Sequence, residues 1–161
     1  MAKLSIRPEQ VVMISAGAAG IGRVIAETFL AHDCQVHVCD IDEKAISDFL
    51  AEFPSASATK ADISNVAEVE QVFDDVADRY GRLDVLVNNA GIAGPTAHVE
   101  DINPVEWDQT IAVNLNGHFY CARKAIPLLK ATRGSIISIA SALRLWVVRV
   151  ELRTRPANGR S

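Results

Sequence analysis

The stretch QVVMISAGAAGIGRVIAETFLAH, residues 10–32, decides the fold. It opens with QVVMIS, a short β-prone run without polar alternation, which suits a strand buried on both faces. Glycines stand at 17, 20 and 22 directly after it. Beyond them Ile21, Val24, Ile25, Thr28, Phe29 and Leu30 recur at helical spacing, so residues 20–32 are predicted to form a helix with one buried stripe. Strand, glycine turn and helix in immediate succession begin a parallel α/β unit.

The alternation continues along the chain. QVHVCD, 35–40, is a second strand, followed by a helix over 42–53 with Asp42 as N-cap and Pro54 past its end. Residues 56–61 form a third strand. Asn65 caps a helix to Tyr80 whose apolar face is Val66, Val69, Val72, Phe73, Val76 and Ala77, and Gly81 ends it. LDVLVN, 83–88, is a fourth strand. A loop with Gly91, Gly94 and Pro95 then leads to a long helix from Pro104 to Leu129, with Pro127 kinking its end, and SIISIA, 135–140, is a fifth strand. Right-handed crossovers make this an α/β fold, a doubly wound parallel sheet with helices on both faces, Rossmann-like.

The pattern fails after Ser141. Residues 1–141 are expected to form one domain, with 142–161 an aberrant Arg-rich tail. The charge supports that division: residues 1–143 hold 11 Lys and Arg against 19 Asp and Glu, whereas 144–161 hold five Arg against one Glu.

A net charge of -4 argues against nucleic acid or an anionic membrane as the main partner. No apolar run is long enough to span a bilayer, and the N-terminus lacks a basic segment followed by an apolar one, so a cytoplasmic protein is expected. Cys34, Cys39 and Cys121 are odd in number, widely spaced and without metal-ligand spacing, which reads as three reduced thiols and no metal site.

The glycine turn carries the first chemistry. In SAGAAGIG, residues 15–22, small residues let the backbone approach an anion closely, and the N–H groups at the start of the following helix favour a pyrophosphate. Three glycines in a turn can also be a plain strand-to-helix connection. Asp40 closes the second strand 18 residues past Gly22, where a carboxylate can accept from both hydroxyls of an adenosine ribose and repel a 2′-phosphate. A carboxylate there can equally be a solvated strand end or a helix cap; together the two features favour NAD over NADP.

These residues resemble the short-chain dehydrogenase/reductase family, whose loop reads TGxxxGIG. Ser15 stands at the Thr position, Gly20, Ile21 and Gly22 match, and Gly17 comes one place later than the family's first glycine. By the same resemblance Asp40 and Ile41 border the ribose, Asp62 bonds the adenine amino group with the Ile63 N–H nearby, and Asn88, Asn89, Ala90 and Gly91 reproduce the NNAG motif that lines the cofactor cleft. The resemblance makes Asn114 the catalytic Asn that holds a relay water and Ser141 the Ser that hydrogen-bonds the substrate. It implies that residues 1–141 are a dinucleotide-binding domain whose sheet is incomplete at its C-terminal edge, hydride transfer between NAD and a small-molecule alcohol or ketone, and a homo-oligomer weakened by the missing C-terminal part.

The family's Tyr and Lys are absent. At the family's spacing from Ser141 they fall on Thr154 and Asn158. The genetic code offers a reason: if one nucleotide was lost near Val147 or Val148, the codons for residues 154–161 permit YSASKWAV in the shifted frame, with Tyr at 154 and Lys at 158. An unrelated divergent or spliced tail is the alternative. Either way turnover is expected to be absent or severely impaired, leaving an NAD-binding protein without catalysis or a fragment without function as competing readings.

Overall fold

The computed structural model describes residues 6–140. Strands β1 (Val11–Ser15), β2 (Gln35–Asp40), β3 (Ser57–Lys60), β4 (Val85–Asn88) and β5 (Ser135–Ser138) form one sheet in the order β3-β2-β1-β4-β5, and every pairing is parallel. Helices α1 (Gly20–Leu30), α2 (Glu43–Glu52), α3 (Val66–Tyr80), α4 (Pro104–Ile111) and α5 (His118–Thr132) connect them. The chain runs outward from β1 to β3 and then crosses back to β4, which opens a crevice at the carboxyl ends of β1 and β4.

All five positions of β1 are buried, and its alternate side chains feed two cores. Val12 and Ile14 pack with Ala26, Phe29 and Phe49 beneath α1 and α2. Val11 and Met13 pack with Val69, Val72, Phe73, Cys121 and Leu129 on the opposite face. A central strand covered on both faces needs an unbroken apolar run, and VVMI supplies it.

The helix ends follow the capping signals. Asp42 accepts from the N–H groups of Lys44 and Ala45, Asn65 from Ala67 and Asn103 from Val105, with Pro104 in the first turn. Gly81, at φ 66°, closes α3. At the opposite end of the sheet from the crevice, Asp84 is 3% exposed; its carboxylate accepts from the Val11 N–H at 2.9 Å and from Arg82 at 3.0 and 2.6 Å.

Several expectations need correction. The buried face of α1 is Gly22, Ala26 and Phe29, while Ile21 and Val24 are 68% and 61% exposed. The glycine dictates this rotation: Gly22 lies against the Ala16 carbonyl, where no Cβ fits, so its face is the one pressed to the sheet. Val66 is likewise 39% exposed, because it occupies the first position of α3. The long helix runs on to Thr132 with Pro127 inside it, and residues Ala112–Gly117 widen into a π-helical turn.

Candidate functional site

The carboxyl ends of β1 to β4 open on a cleft of about 240 Å³. Its walls bring together Asp40, Ile41, Asp62, Ile63, Ala90 and Gly91 from the sequence-predicted set, and add Ala16, Ala61, Ile92, Gln109 and Val113. Ser15, Gly17, Gly20, Ile21 and Gly22 are not in its wall; they form the turn beside it.

That turn has two distinct glycine requirements. Gly17 is needed for close approach, since a Cβ there would stand 2.6 Å from Val38 Cγ1 and 2.9 Å from the Ile14 carbonyl oxygen. Gly20 takes φ +53° in open space, a conformation that costs an L-residue about 1–2 kcal/mol. The late position of the first glycine leaves Ala16 at φ 48°, a left-handed conformation borne here by alanine. At α1 no side chain caps the N-terminus and no acidic residue stands in the first turn, in contrast to α2, α3 and α4. Its first N–H groups therefore face outward with the positive end of the helix dipole.

The turn is tied to the loop after β4. Ser15 Oγ accepts from the N–H groups of Asn89 and Ala90, each at 3.0 Å, and Asn89 Nδ2 donates to the carbonyls of Ser15 at 3.0 Å and Ala16 at 3.1 Å. Along the sequence only the NNAG motif marks Asn89, because its partners lie more than 70 residues away.

Asp40 is positioned by two backbone groups: Oδ2 accepts from Ala18 N–H at 3.3 Å and Oδ1 from Asp42 N–H at 3.2 Å. The helix cap is Asp42, so Asp40 serves instead to join the glycine turn to the end of β2. Asp62 Oδ1 accepts from Ser64 N and Oγ at 2.9 and 2.8 Å, and its N–H is held by Glu68 at 2.7 Å. Ile63 and Val113, 4% and 9% exposed, give the cleft apolar walls. A Cβ on Gly117 would stand 2.6 Å from Ile63 Cδ1, so the glycine in the π turn allows that wall to form.

Asn88 lies beneath the cleft rather than in it. It is 2% exposed, its Nδ2 donates to the His118 carbonyl at 3.2 Å, and Oδ1 has no partner among the described residues. His118 Nε2 lies 2.7 Å from the Ala90 carbonyl; an oxygen that only accepts requires the proton on that nitrogen. Asn114 sits in the π turn, a distortion that recurs at functional positions. Its Oδ1 accepts from Ile92 N–H at 2.8 Å and its Nδ2 donates to the Ile92 carbonyl at 2.9 Å, so the visible work of this side chain is to clamp the loop after β4. Ser141, Thr154 and Asn158 lie outside the described residues.

The cysteines offer no nucleophile in this cleft. All three are buried and free, and burial raises the Cys39 thiol and pushes Cys121 up to about 12. Among the described residues no cluster of three His, Cys, Asp or Glu could hold a metal, and no helix is long and apolar enough to cross a membrane.

Residues 10–146 match the family model described as short chain dehydrogenase. A short chain dehydrogenase/reductase of Gibberella zeae is 38% identical over 135 residues, covering 80% of this chain and 50% of that relative. The 3beta-hydroxysteroid dehydrogenase of Mediterraneibacter gnavus is 31% identical over 83% of this chain and 50% of its own length. Among solved structures, 3-ketoacyl-(acyl-carrier-protein) reductase from Brucella melitensis, complexed with NADH, superposes with a TM-score of 0.78 at 31% identity, covering 83% of this chain and 57% of that one. The chain spans about half the length of these relatives.

Proposed function

The chain belongs to the short chain dehydrogenase family, and from that premise we propose that its cleft binds NAD, as the nucleotide-binding part of an oxidoreductase acting on a small-molecule alcohol or ketone. The observation that carries this reading is the pair Asp40 and Asp62, which end β2 and follow β3 on the walls of a single cleft. Two acidic side chains there suit a ligand rich in hydrogen-bond donors, the ribose hydroxyls and the adenine amino group, and disfavour the 2′-phosphate of NADP.

The residues present fit that ligand. The uncapped start of α1 and the close-approach glycines Gly17 and Gly22 would hold the pyrophosphate. Asp40 and Ile41 would border the adenosine ribose; Asp62, Ile63 and Val113 would enclose the adenine; Ala90 and Gly91 would form the floor. Ser15, Asn88 and Asn89 keep the turn and the β4 loop in register beneath it. Bound NAD would supply the hydride acceptor; this chain's residues bind and orient it.

In this reading the 161-residue chain turns over very slowly by itself. Asn114 and Ser141 would take the family's catalytic positions, but Thr154 and Asn158 stand where the proton-transferring Tyr and its Lys would be. Loss of a general acid/base costs roughly 10²–10⁴ in rate. Residues 1–141 would then be the nucleotide-binding domain and 142–161 a tail outside it. The three buried free thiols agree with a reducing, cytoplasmic location. A homo-oligomer would draw on the exposed apolar side chains Trp107, Leu115 and Phe119 of the long helical run.

Calorimetry with NAD and NADP, joined to a turnover assay over a panel of alcohols and ketones, tests the proposal. Binding of NAD in preference to NADP, with little turnover, is the expected result. No binding by a folded chain would overturn the cofactor assignment, and ready turnover would overturn the claim of impairment. A second reading, a chain that self-associates without function, draws on Ile136 and Ile139, 39% and 37% exposed at and just beyond β5. Circular dichroism with size exclusion separates it from the first: a cooperatively unfolding monomer or dimer excludes it.

A further inference from the structure

Away from the cleft, β2, β3 and α3 enclose a chain of polar side chains that the proposed chemistry does not use. His37 is 2% exposed, with Nδ1 2.7 Å from Ser57 Oγ and Nε2 3.1 Å from Thr59 Oγ1. Ser57 Oγ lies 2.7 Å from the Tyr80 hydroxyl. Thr59 Oγ1 donates to Asp75 Oδ2, and Asp75 Oδ1 accepts from Gln71 Nε2 at 2.7 Å. The Tyr80 hydroxyl also stands 3.4 Å from the Val36 carbonyl.

Counting protons gives the chain a direction. Thr59 has one hydroxyl proton, and the Asp75 carboxylate has only lone pairs to offer, so that proton goes to Asp75. His37 Nε2 must then carry a hydrogen and donate to Thr59, which leaves Nδ1 an acceptor in the neutral ring. Ser57 donates to Nδ1, and Tyr80 donates to Ser57. Every link is satisfied, and the longer Tyr80 contact to Val36 is not needed.

We propose that this chain is an acid-sensitive latch joining β2, β3 and α3, and that a proton taken up at His37 Nδ1 reverses half of it. The new Nδ1–H donates to Ser57, the Ser57 hydroxyl turns to Tyr80, and the Tyr80 hydroxyl turns to the Val36 carbonyl. One proton enters from solvent, two hydroxyls rotate, and no covalent bond other than the new N–H is made or broken. The Nε2 half, through Thr59 to Asp75, keeps its direction.

The surroundings hold that reversal off until the solution is well into acid. Burial opposes the imidazolium first, Asp75 on α3 favours it, and Arg79 on α3 opposes it, which together lower His37 to about 4. Asp78 and Arg79 line the same surface cavity as His37 and Asp75, which gives a proton access. From β3 only the neutral Ser57 and Thr59 meet the ring, and β1 places uncharged Met13 in register with it. His37 stands three residues ahead of Asp40 on β2 and Thr59 three ahead of Asp62 after β3, so the latch ties together the two strands that lead to the acidic side chains of the cleft.

NMR of the full chain with ¹⁵N-labelled histidine, titrated from pH 7 downward, reads the latch directly. The expected result is a neutral His37 with its hydrogen on Nε2 at pH 7 and a midpoint far below the ordinary value of about 6.5. Tyr80→Phe removes the group that receives the reversed Ser57 proton and is expected to move that midpoint lower still. A hydrogen on Nδ1 at pH 7, a midpoint near 6.5, or an unchanged midpoint in Tyr80→Phe would overturn the proposal. Should that variant fail to fold, the tautomer and midpoint of the unmodified chain still decide. None of these readings depends on cofactor binding.

Discussion

Ser15 and Asn89 hold each other in both directions. The Ser15 hydroxyl accepts the Asn89 backbone N–H at 3.0 Å while the Asn89 side-chain amide donates to the Ser15 carbonyl at 3.0 Å. The pair fastens the glycine turn after β1 to the loop after β4, across the point where the strand order reverses. Asn89→Ala removes two side-chain hydrogen bonds, one to Ser15 and one to Ala16, and is expected to cost about 2 kcal/mol. Urea unfolding of the single variants and of Asn89→Ala with Ser15→Ala should show less than additive losses, because both sets of bonds tie the same two segments together; strict additivity would contradict the coupling.

The glycines should separate by mechanism. Gly22→Ala brings a Cβ against backbone, the Ala16 carbonyl, which cannot move without displacing the turn, so NAD affinity is expected to fall more than about tenfold. Gly20→Ala meets no atom but keeps φ +53° and should cost about 1–2 kcal/mol of stability. Calorimetry and thermal unfolding on both variants check the contrast, and equal effects would argue against it.

Asp40→Ser removes a carboxylate that accepts from Ala18 and Asp42 and borders the cleft. NAD affinity is expected to drop by about tenfold, the scale of one hydrogen bond to a charged group, while NADP loses less because a repulsive charge is gone. The ratio of the two dissociation constants is the readout; a variant with an unchanged ratio would remove Asp40 from cofactor choice.

Stability should fall in acid through His37. Its folded value, about 4, lies below the ordinary 6.5. Above pH 6.5 both folded and unfolded chains hold it neutral and it contributes no pH dependence. As pH falls through 6.5 the unfolded chain takes the proton first, so the native state loses ground until about pH 4, by about 3 kcal/mol in all. Denaturant melts of the parent chain and of His37→Gln across this range should show a steeper acid loss in the parent; parallel curves would rule His37 out as its source.

Much of the fold could be read along the chain because the signals are local. QVVMIS, Asp42, Asn65, Pro104 and Gly81 each act within one strand or one helical turn, and the structure uses them where the sequence places them. The local pattern misleads where a distant contact chooses among local options. Ile21 and Val24 have the spacing of a buried stripe, yet the contact of Gly22 with Ala16 turns them outward. The π turn at Ala112–Gly117 left no sequence mark beyond Asn114 and Gly117, since it depends on Ile92 and Ile63 arriving from other parts of the chain.

By itself the sequence determined the alternation of strand and helix, the parallel sheet it requires, and a glycine turn followed by acidic strand ends. Hydrophobic period, capping and backbone sterics act over a few residues and need no partner to be known. Only the tertiary structure decided that Asp40, Asp62, Ala90 and Gly91 share one cleft, that Asn89 locks the turn, and that His37 stands in the middle of a chain of hydroxyls. Each of those depends on groups far apart in the sequence being brought together, as Thr59 and Asp75, 16 residues apart, and Ser15 and Asn89, 74 apart, are, a condition set by sheet order and helix rotation rather than by any local run of residues.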